Sequence, residues 1–234
     1  MYVTKMKNSM KNECRLCNIK SKAASKLTES EIEKLSFNCA LTRFRKGEMV
    51  IRQGNFSTNV AYLRKGLVKI HIAGPYYEQI VRITKAPGYL GLPTTFGDKI
   101  NQYSVTVIDN AEVCFIDMTT FRELLFINPE FSYEIMLDIC RNELEIYNKC
   151  AVRTQKQIRG KIADVLMEMA DKIYNSDTFS IPLNQEETGN LVDASRESVS
   201  RILNEFEKDG IINISGKKIE IKNKKSLQLI SSNG

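Results

Sequence analysis

The sequence predicts an α+β chain: an N-terminal antiparallel β-barrel or roll, a long connecting helix, and a C-terminal winged helix-turn-helix. Three observations predict it. Short alternating apolar strands, punctuated by glycine, run from Leu41 to Asp117. A helical apolar stripe follows Pro129. Two capped short helices and a basic hairpin then occupy the last part of the chain.

Gross composition bounds the function. At 234 residues the chain can hold two modest domains, and 42% hydrophobic with 26% charged residues is ordinary for a soluble protein. No apolar run approaches the roughly 20 residues that span a bilayer, so no membrane partner is expected. The opening "MYVTKMKNSMKNECRLC" lacks the apolar core of a signal peptide. Six cysteines in such a chain point to the reducing cytoplasm, where thiols stay free, bind metal or sense redox state. A net charge of +6 mildly favours a polyanionic partner. The single histidine, His71, excludes mechanisms built on several. No P-loop, Rossmann glycine fingerprint or nucleophile–base pair appears, so no enzymatic activity is expected. The rival reading is a small-molecule-binding β-barrel protein, or a cupin-like enzyme, with an incidental helical domain.

In chain order, residues 1–24 are polar and lysine-rich and contain Cys14 and Cys17. "LTESEIEKL" reads as a capped helix, with Thr28 capping and Glu31 closing a capping box. Strands follow in "EMVIRQGN", "VAYLRKGLVKIHIAG", "YEQIVRIT", "QYSVTVID" and "AEVCFID". Val68, Ile70 and Ile72 alternate with Lys69 and His71, which places His71 toward solvent and argues against a haem-ligand role. The helix from about Phe131 to Val152 spaces positions 136, 140, 143, 147 and 150 in steps of four and three, interrupted by Glu143. A lone helix with such a stripe is uncovered, so a homodimer is expected. Beyond a polar hinge near Arg153 to Lys156, a second amphipathic helix carries Ile158, Ile162, Val165, Leu166, Met169 and Ile173.

The stretch "NQEETGNLVDASRESVSRILNEFEKDGII" carries the chemistry. Asn184 and Glu187 form a capping box, Thr188, Leu191 and Val192 face inward, and Ser195 caps the next helix. Val199, Ile202, Leu203 and Phe206 make its buried stripe. Glu197, Ser200, Arg201 and Asn204 repeat that spacing on the opposite face, with Arg196 at the leading end. Such a charged face is by default merely solvated. The following hairpin, "GIINISGKKIEIKN", turns the combination into a winged helix-turn-helix, whose second helix enters the major groove amino end first. Double-stranded DNA is the expected partner. Arginine suits guanine and glutamate suits the cytosine amino group, so Arg196, Glu197, Ser200 and Arg201 are the base-contact candidates. Asn184, Gln185, Ser195, Ser198, Lys217 and Lys218 are candidates for phosphate.

These residues resemble the Crp/Fnr family of bacterial transcription regulators over nearly the whole chain. "SRESVSRIL" is close to that family's recognition helix, "IRQGN…AYLRKGLVKI" resembles its β-roll, and "INPEF" is similar to the entry into its dimerisation helix. The resemblance implies a polar N-terminal segment (1–24), a sensory β-roll of the cyclic-nucleotide-binding type (25–128), a dimerisation helix (129–153) and a winged DNA-binding domain (154–234). It implies a homodimer that reads palindromes with a T-G-A core through Arg196, Glu197 and Arg201, Ser200 resembling the Fnr-like branch, with RNA polymerase as a further partner.

The same resemblance places an effector pocket at Gly91, Leu92, Pro93, Thr94, Tyr103 and Ser104. Members that bind cyclic AMP carry Gly-Glu-Leu and, later, Arg-Ser. Here Leu92 and Pro93 hold the Glu-Leu places and Tyr103 precedes Ser104, which argues against cyclic AMP. Cys14, Cys17 and Cys114 resemble three ligands of the Fnr iron–sulfur cluster, but Ala23 stands where the remaining cysteine belongs. Cys39 is a stand-in that nothing in the sequence brings to the site. Zinc, a Cys14–Cys17 redox pair, and ordinary buried thiols remain open alternatives. The expectation is control by an effector, or by a redox or gas signal, at the roll.

Overall fold

A computed structural model describes residues 17–97 and 99–234. The chain divides into two compact units, Met1–Ile72 with Ile83–Leu144 and Ala73–Arg82 with Glu145–Gly234.

The first unit opens with helix α1 (Glu29–Phe37), where Thr28 and Glu31 form the expected reciprocal capping box. Strands β1 (Cys39–Phe44), β2 (Met49–Ile51), β3 (Asn59–Ala73), β4 (Glu78–Lys85), β5 (Gly88–Leu90) and β6 (Ser104–Asp117) build one six-stranded sheet. Its order is β1-β6-β3-β4, with β2 also on β6 and β5 on β3. The two runs read as separate strands, "QYSVTVID" and "AEVCFID", are one continuous strand, β6. The register of β3 on β6 shifts between Leu63 and Val68. Gly66 permits this bend: its φ is +100°, and a Cβ would meet Ala111 at 2.7–2.8 Å.

The core of this unit is an aromatic series. Tyr62 and Tyr89 have ring centroids 4.9 Å apart, Tyr89 and Phe121 are 5.8 Å apart, and Phe121 and Phe131 are 5.3 Å apart. Phe121 comes from a helix the sequence did not announce, α3 (Met118–Ile127); a further short helix, α2 (Leu92–Phe96), precedes β6. Phe131 opens the long helix α4 (Pro129–Gln155). Asn128 caps α4 by accepting from the Phe131 N–H at 2.9 Å, and its amide donates to Lys26 O and Glu31 Oε2. Within the unit, Phe131 and Ile135 anchor α4 in the core, while Met136 is 52% exposed and Cys140 is also exposed.

His71 departs from the expectation. It is 5% exposed, and its Nε2 lies 2.8 Å from Thr106 Oγ1 on β6. Both faces of β3 are covered from Leu67 to His71, so alternation in the sequence does not become alternation in exposure.

The second unit begins with the end of α4 and continues through α5 (Ile158–Glu168), which runs into a π-helical turn, Met169–Tyr174. Ile162, Val165, Leu166, Met169 and Ile173 are buried along this face, as the periodicity required. Strand β7 (Thr178–Ser180), helices α6 (Gln185–Val192) and α7 (Arg196–Lys208), and strands β8 (Ile212–Ser215) and β9 (Lys218–Ile221) follow. The three strands pair in the order β7-β9-β8. The chain does not finish at this hairpin: helix α8 (Lys224–Asn233) returns onto α5. Ser231 bonds Asp164, which also holds Lys156 Nζ at 2.8 Å.

Candidate nucleic-acid interface

Local rules position α6 and α7. Asn184 Oδ1 accepts from the Glu187 N–H at 2.8 Å, and Glu187 Oε2 accepts from the Asn184 N–H at 2.9 Å. Between the helices, Asp193 takes a left-handed conformation with φ +57°, and Ala194 donates its N–H to Gly189 O at 3.0 Å. Gly189 is needed for that closeness, because a Cβ there would run into the Ala194 carbonyl oxygen. Ser195 Oγ then accepts from the Ser198 N–H at 3.2 Å and starts α7.

Arg153, near the end of α4, secures this turn. Its Nη2 donates to Leu191 O and to Ile80 O on β4, while Nε sits 3.2 Å from Asp193 Oδ2. One guanidinium thus satisfies two backbone carbonyls and a carboxylate.

The two faces of α7 are sharply divided. Val199, Ile202, Leu203 and Phe206 are 0–7% exposed. On the other side Arg196, Glu197, Ser200, Arg201, Asn204, Glu205 and Lys208, with Gln185 from α6, line one open groove of about 690 Å³. All four base-contact candidates and one phosphate candidate, Gln185, are therefore brought together. Glu197 is held below the usual glutamate range chiefly by its own backbone N–H and next by the Ser195 hydroxyl, so it is present as an acceptor. Arg201 Nη1 donates to Glu205 Oε1 at 2.7 Å.

The remaining phosphate candidates lie apart from the groove lining. Asn184 and Ser195 are exposed but engaged as caps, and Ser198 is half-buried beside Ser195. Lys217 and Lys218 are exposed at the β8–β9 turn, where Gly216 has φ +63°. Sequence reasoning missed Glu205 and Lys208. The i, i+4 spacing of Arg201 and Glu205 was the available signal.

In the first unit the expected effector residues fall into two bonded groups. Gly91 is left-handed with φ +77°, and Thr94 Oγ1 donates to Gly91 O at 2.9 Å and Asn101 Oδ1 at 3.3 Å. Ser104 Oγ accepts from the Gln53 N–H at 3.0 Å. Leu92 is 3% exposed and belongs to the core, whereas Pro93 is exposed and Tyr103 half-buried. The two positions that resemblance assigns to a carboxylate and a cation therefore hold a core leucine and a tyrosine.

Two of the cysteines lie against the aromatic core, while Cys140 and Cys150 are exposed on α4. Cys39 and Cys114 are half-buried and packed against it, and Cys114 stands opposite Tyr62 in the β3–β6 register. Tyr62 is pushed up to about 12 mainly by burial, with Cys17 and Cys114 both adding. Burial also raises Tyr89, which shares a 2.8 Å hydrogen bond with Ser21. The Tyr62 hydroxyl donates to Ile19 O at 3.1 Å. Ala23, at the place of the missing cysteine, is wholly buried in the core. Among the described residues, no group of three or more histidine, cysteine, aspartate or glutamate side chains is placed to hold a metal ion. Cys14 lies outside the described residues. The described thiols thus do not by themselves fit a cluster or a zinc ion.

Comparison with known proteins gives the context. Residues 160–230 match the Crp-like helix-turn-helix domain, and residues 41–128 match the cyclic nucleotide-binding domain. The transcriptional activator protein FnrA of Stutzerimonas stutzeri is 24% identical over 184 residues, covering 76% of this chain and 74% of that protein. The cAMP-activated global transcriptional regulator CRP of Escherichia coli is 25% identical over 199 residues, covering 83% of this chain and 95% of that protein. Among solved structures, FixK2 from Bradyrhizobium japonicum superposes with a TM-score of 0.75 at 16% identity, covering 84% of this chain and 98% of that one. The regulator CLP of Xanthomonas campestris gives a TM-score of 0.72 at 18% identity, covering 83% and 99%. Among the described residues, no helix is long and apolar enough to cross a membrane.

Proposed function

This chain belongs to the Crp/Fnr family of DNA-binding transcription regulators, and we propose that it acts as a cytoplasmic homodimer on palindromic DNA. Each protomer sets α7 amino end first into the major groove of one half-site. Arg196 and Arg201 donate to guanine, Glu197 accepts from a cytosine amino group, and Ser200 reaches a neighbouring base edge. Gln185, Asn184, Ser195 and Ser198 sit at the helix amino ends, where backbone N–H groups favour phosphate. Lys217 and Lys218 add phosphate contacts from the hairpin. A T-G-A core fits this set of donors and acceptors.

The single observation that carries this reading is the division of α7 into a buried stripe and an opposite face on which all four base-contact candidates line one groove. A merely solvated helix needs no capped partner helix, no glycine-closed turn and no adjacent basic hairpin. The cupin-like alternative needs several histidines and carboxylates converging inside a barrel, and the sequence has one histidine, His71.

Dimerisation is supported by the side chains of α4 at the expected seam. Met136, Cys140, Glu143, Tyr147 and Cys150 are all exposed in the single chain. The signal enters at the roll, and α4 carries it from the Phe131–Ile135 core to the turn held by Arg153. Cyclic AMP is not the effector we favour, because Leu92 and Tyr103 give its phosphate no cation. The signal at the roll is a bound effector or a redox or gas signal; Cys17, Cys39 and Cys114 do not by themselves form a metal-holding group. RNA polymerase is the partner through which such a regulator acts.

Selection of bound duplexes from a random pool tests the function. Inverted repeats containing T-G-A, with centres one helical turn apart, are the expected product. Enrichment of no sequence, with binding abolished by moderate salt, would show only non-specific phosphate attraction.

A further inference from the structure

The face of α7 contains a glutamate that the assigned DNA contacts do not use. Glu205 bonds two arginines through separate oxygens: Arg201 Nη1 at 2.7 Å on Oε1, and Arg159 Nη1 at 3.0 Å on Oε2. Arg159, from α5, is fixed in turn. Its Nη2 lies 2.9 Å from Asp209 Oδ2, and its guanidinium sits 4.9 Å from the ring centroid of Phe206, which is fully buried. The result is a chain of four groups, Asp209–Arg159–Glu205–Arg201, tied at one end to the core of the unit.

We propose that Glu205 is a specificity-determining positioning residue, holding the Arg201 guanidinium so that its Nε–Nη2 edge addresses a guanine. This rests on the reading of Arg201 as a base contact. Guanine O6 and N7 accept two parallel N–H bonds, which an arginine can supply from that edge while Nη1 points elsewhere. The Arg201 side chain is 65% exposed, and an unrestrained exposed arginine samples many rotamers before one matches the base. Glu205 restricts that sampling, and Arg159 keeps Glu205 from swinging with it. Exposed ion pairs at i, i+4 add little to fold stability, so the consequence of this one lies in orientation. Glu205 also places a negative charge in a groove that would receive DNA, which weakens sequence-independent attraction to phosphate. Both effects raise the ratio of specific to non-specific binding.

The test uses the full chain, its selected duplex, and the same duplex with the guanine assigned to Arg201 replaced by adenine. Fluorescence anisotropy at one fixed salt concentration gives the ratio of the two dissociation constants. We expect Glu205→Ala to lower this ratio about tenfold, with equal or tighter binding to unrelated duplex. Glu205→Gln, which keeps the acceptor and loses the charge, falls between. Arg159→Ala, which leaves the Arg201–Glu205 pair in place but frees it from α5, lowers the ratio to a smaller degree. Ratios for substitutions at other base pairs stay at the wild-type value, which a general loss of folding would not produce. If Glu205→Ala and Arg159→Ala keep the wild-type ratio while Arg201→Ala abolishes it, the positioning role is wrong and the base contact stands. If Arg201→Ala also keeps the ratio, the base contact itself fails and the positioning role falls with it.

Discussion

Arg153 Nε lies 3.2 Å from Asp193 Oδ2, joining the end of the long helix α4 to the left-handed residue that closes the first helix of the DNA-binding pair. The same guanidinium donates to Ile80 O and Leu191 O. Removing it takes a donor from the Leu191 and Ile80 carbonyls, the latter still reached by Gln79 Nε2 at 3.3 Å, and leaves the Asp193 carboxylate without its arginine, at a cost of about 1–3 kcal/mol. Arg153→Ala is therefore expected to lower the melting temperature and to weaken binding to all duplexes alike. A calorimetric melt paired with anisotropy on specific and unrelated duplexes checks this. An altered base preference would mean that Arg153 acts on the bases and not on the turn.

Gly189 lets α6 approach the Ala194 carbonyl so closely that no side chain fits between them. Gly189→Ala must open the turn or strain it, so a loss of about 1–3 kcal/mol is expected. The variant should lose specific DNA binding while the first unit, with its separate core, keeps its own melting transition. Unchanged affinity would show that the turn tolerates a wider angle.

The seam of α4 predicts an oligomeric state that responds to one residue. Tyr147 is 60% exposed in the single chain and stands at an expected seam position. Tyr147→Glu would bring two like charges together across a twofold interface. Sedimentation velocity should show the wild-type chain as a dimer and this variant shifted toward monomer, with weaker binding to a palindrome. A variant that remains a dimer would place the interface elsewhere.

Tyrosine titration tests the core to which Ile19 and Ser21 are bonded. Tyr62 titrates in the fold near 12, against 10.0 for an unperturbed tyrosine, chiefly because it is buried. Its folded value is raised, so its neutral form is the one the fold favours. The resulting stability is complete below pH 10 and is lost as pH rises toward about 12. Ultraviolet difference spectra should show Tyr62 and Tyr89 ionising only as the unit unfolds. Early ionisation of Tyr62 would contradict its burial and its bond to Ile19 O.

How much was legible in the sequence follows from the range over which each feature is determined. The capping boxes at Thr28–Glu31 and Asn184–Glu187, and the stripe Val199–Ile202–Leu203–Phe206, are set within one or two helical turns, and all were readable. The burial of His71 was not, because it depends on β6 laying Thr106 beside it from a distant part of the chain. Helix α3 escaped notice because its sequence, "MTTFRELLFI", continues the apolar run of β6. Helix α8 was missed because "KKSLQLISSN" is short and becomes ordered by packing on α5, with only Leu227 fully buried. At the interface, the exposed face of α7 was legible, but the engagement of Glu205 by Arg159 was not. That pairing joins two residues 46 positions apart in the chain.

The central claim is that Arg201 reads a base from α7. Its direct test is the dissociation constant of Arg201→Ala on the selected palindrome and on variants carrying each single base change, at fixed salt. The account predicts a loss of about 1–3 kcal/mol on the selected site, with discrimination erased at one base pair per half-site and kept at the others. Uniform weakening across every duplex, with all base preferences intact, would make Arg201 a phosphate contact and contradict the account.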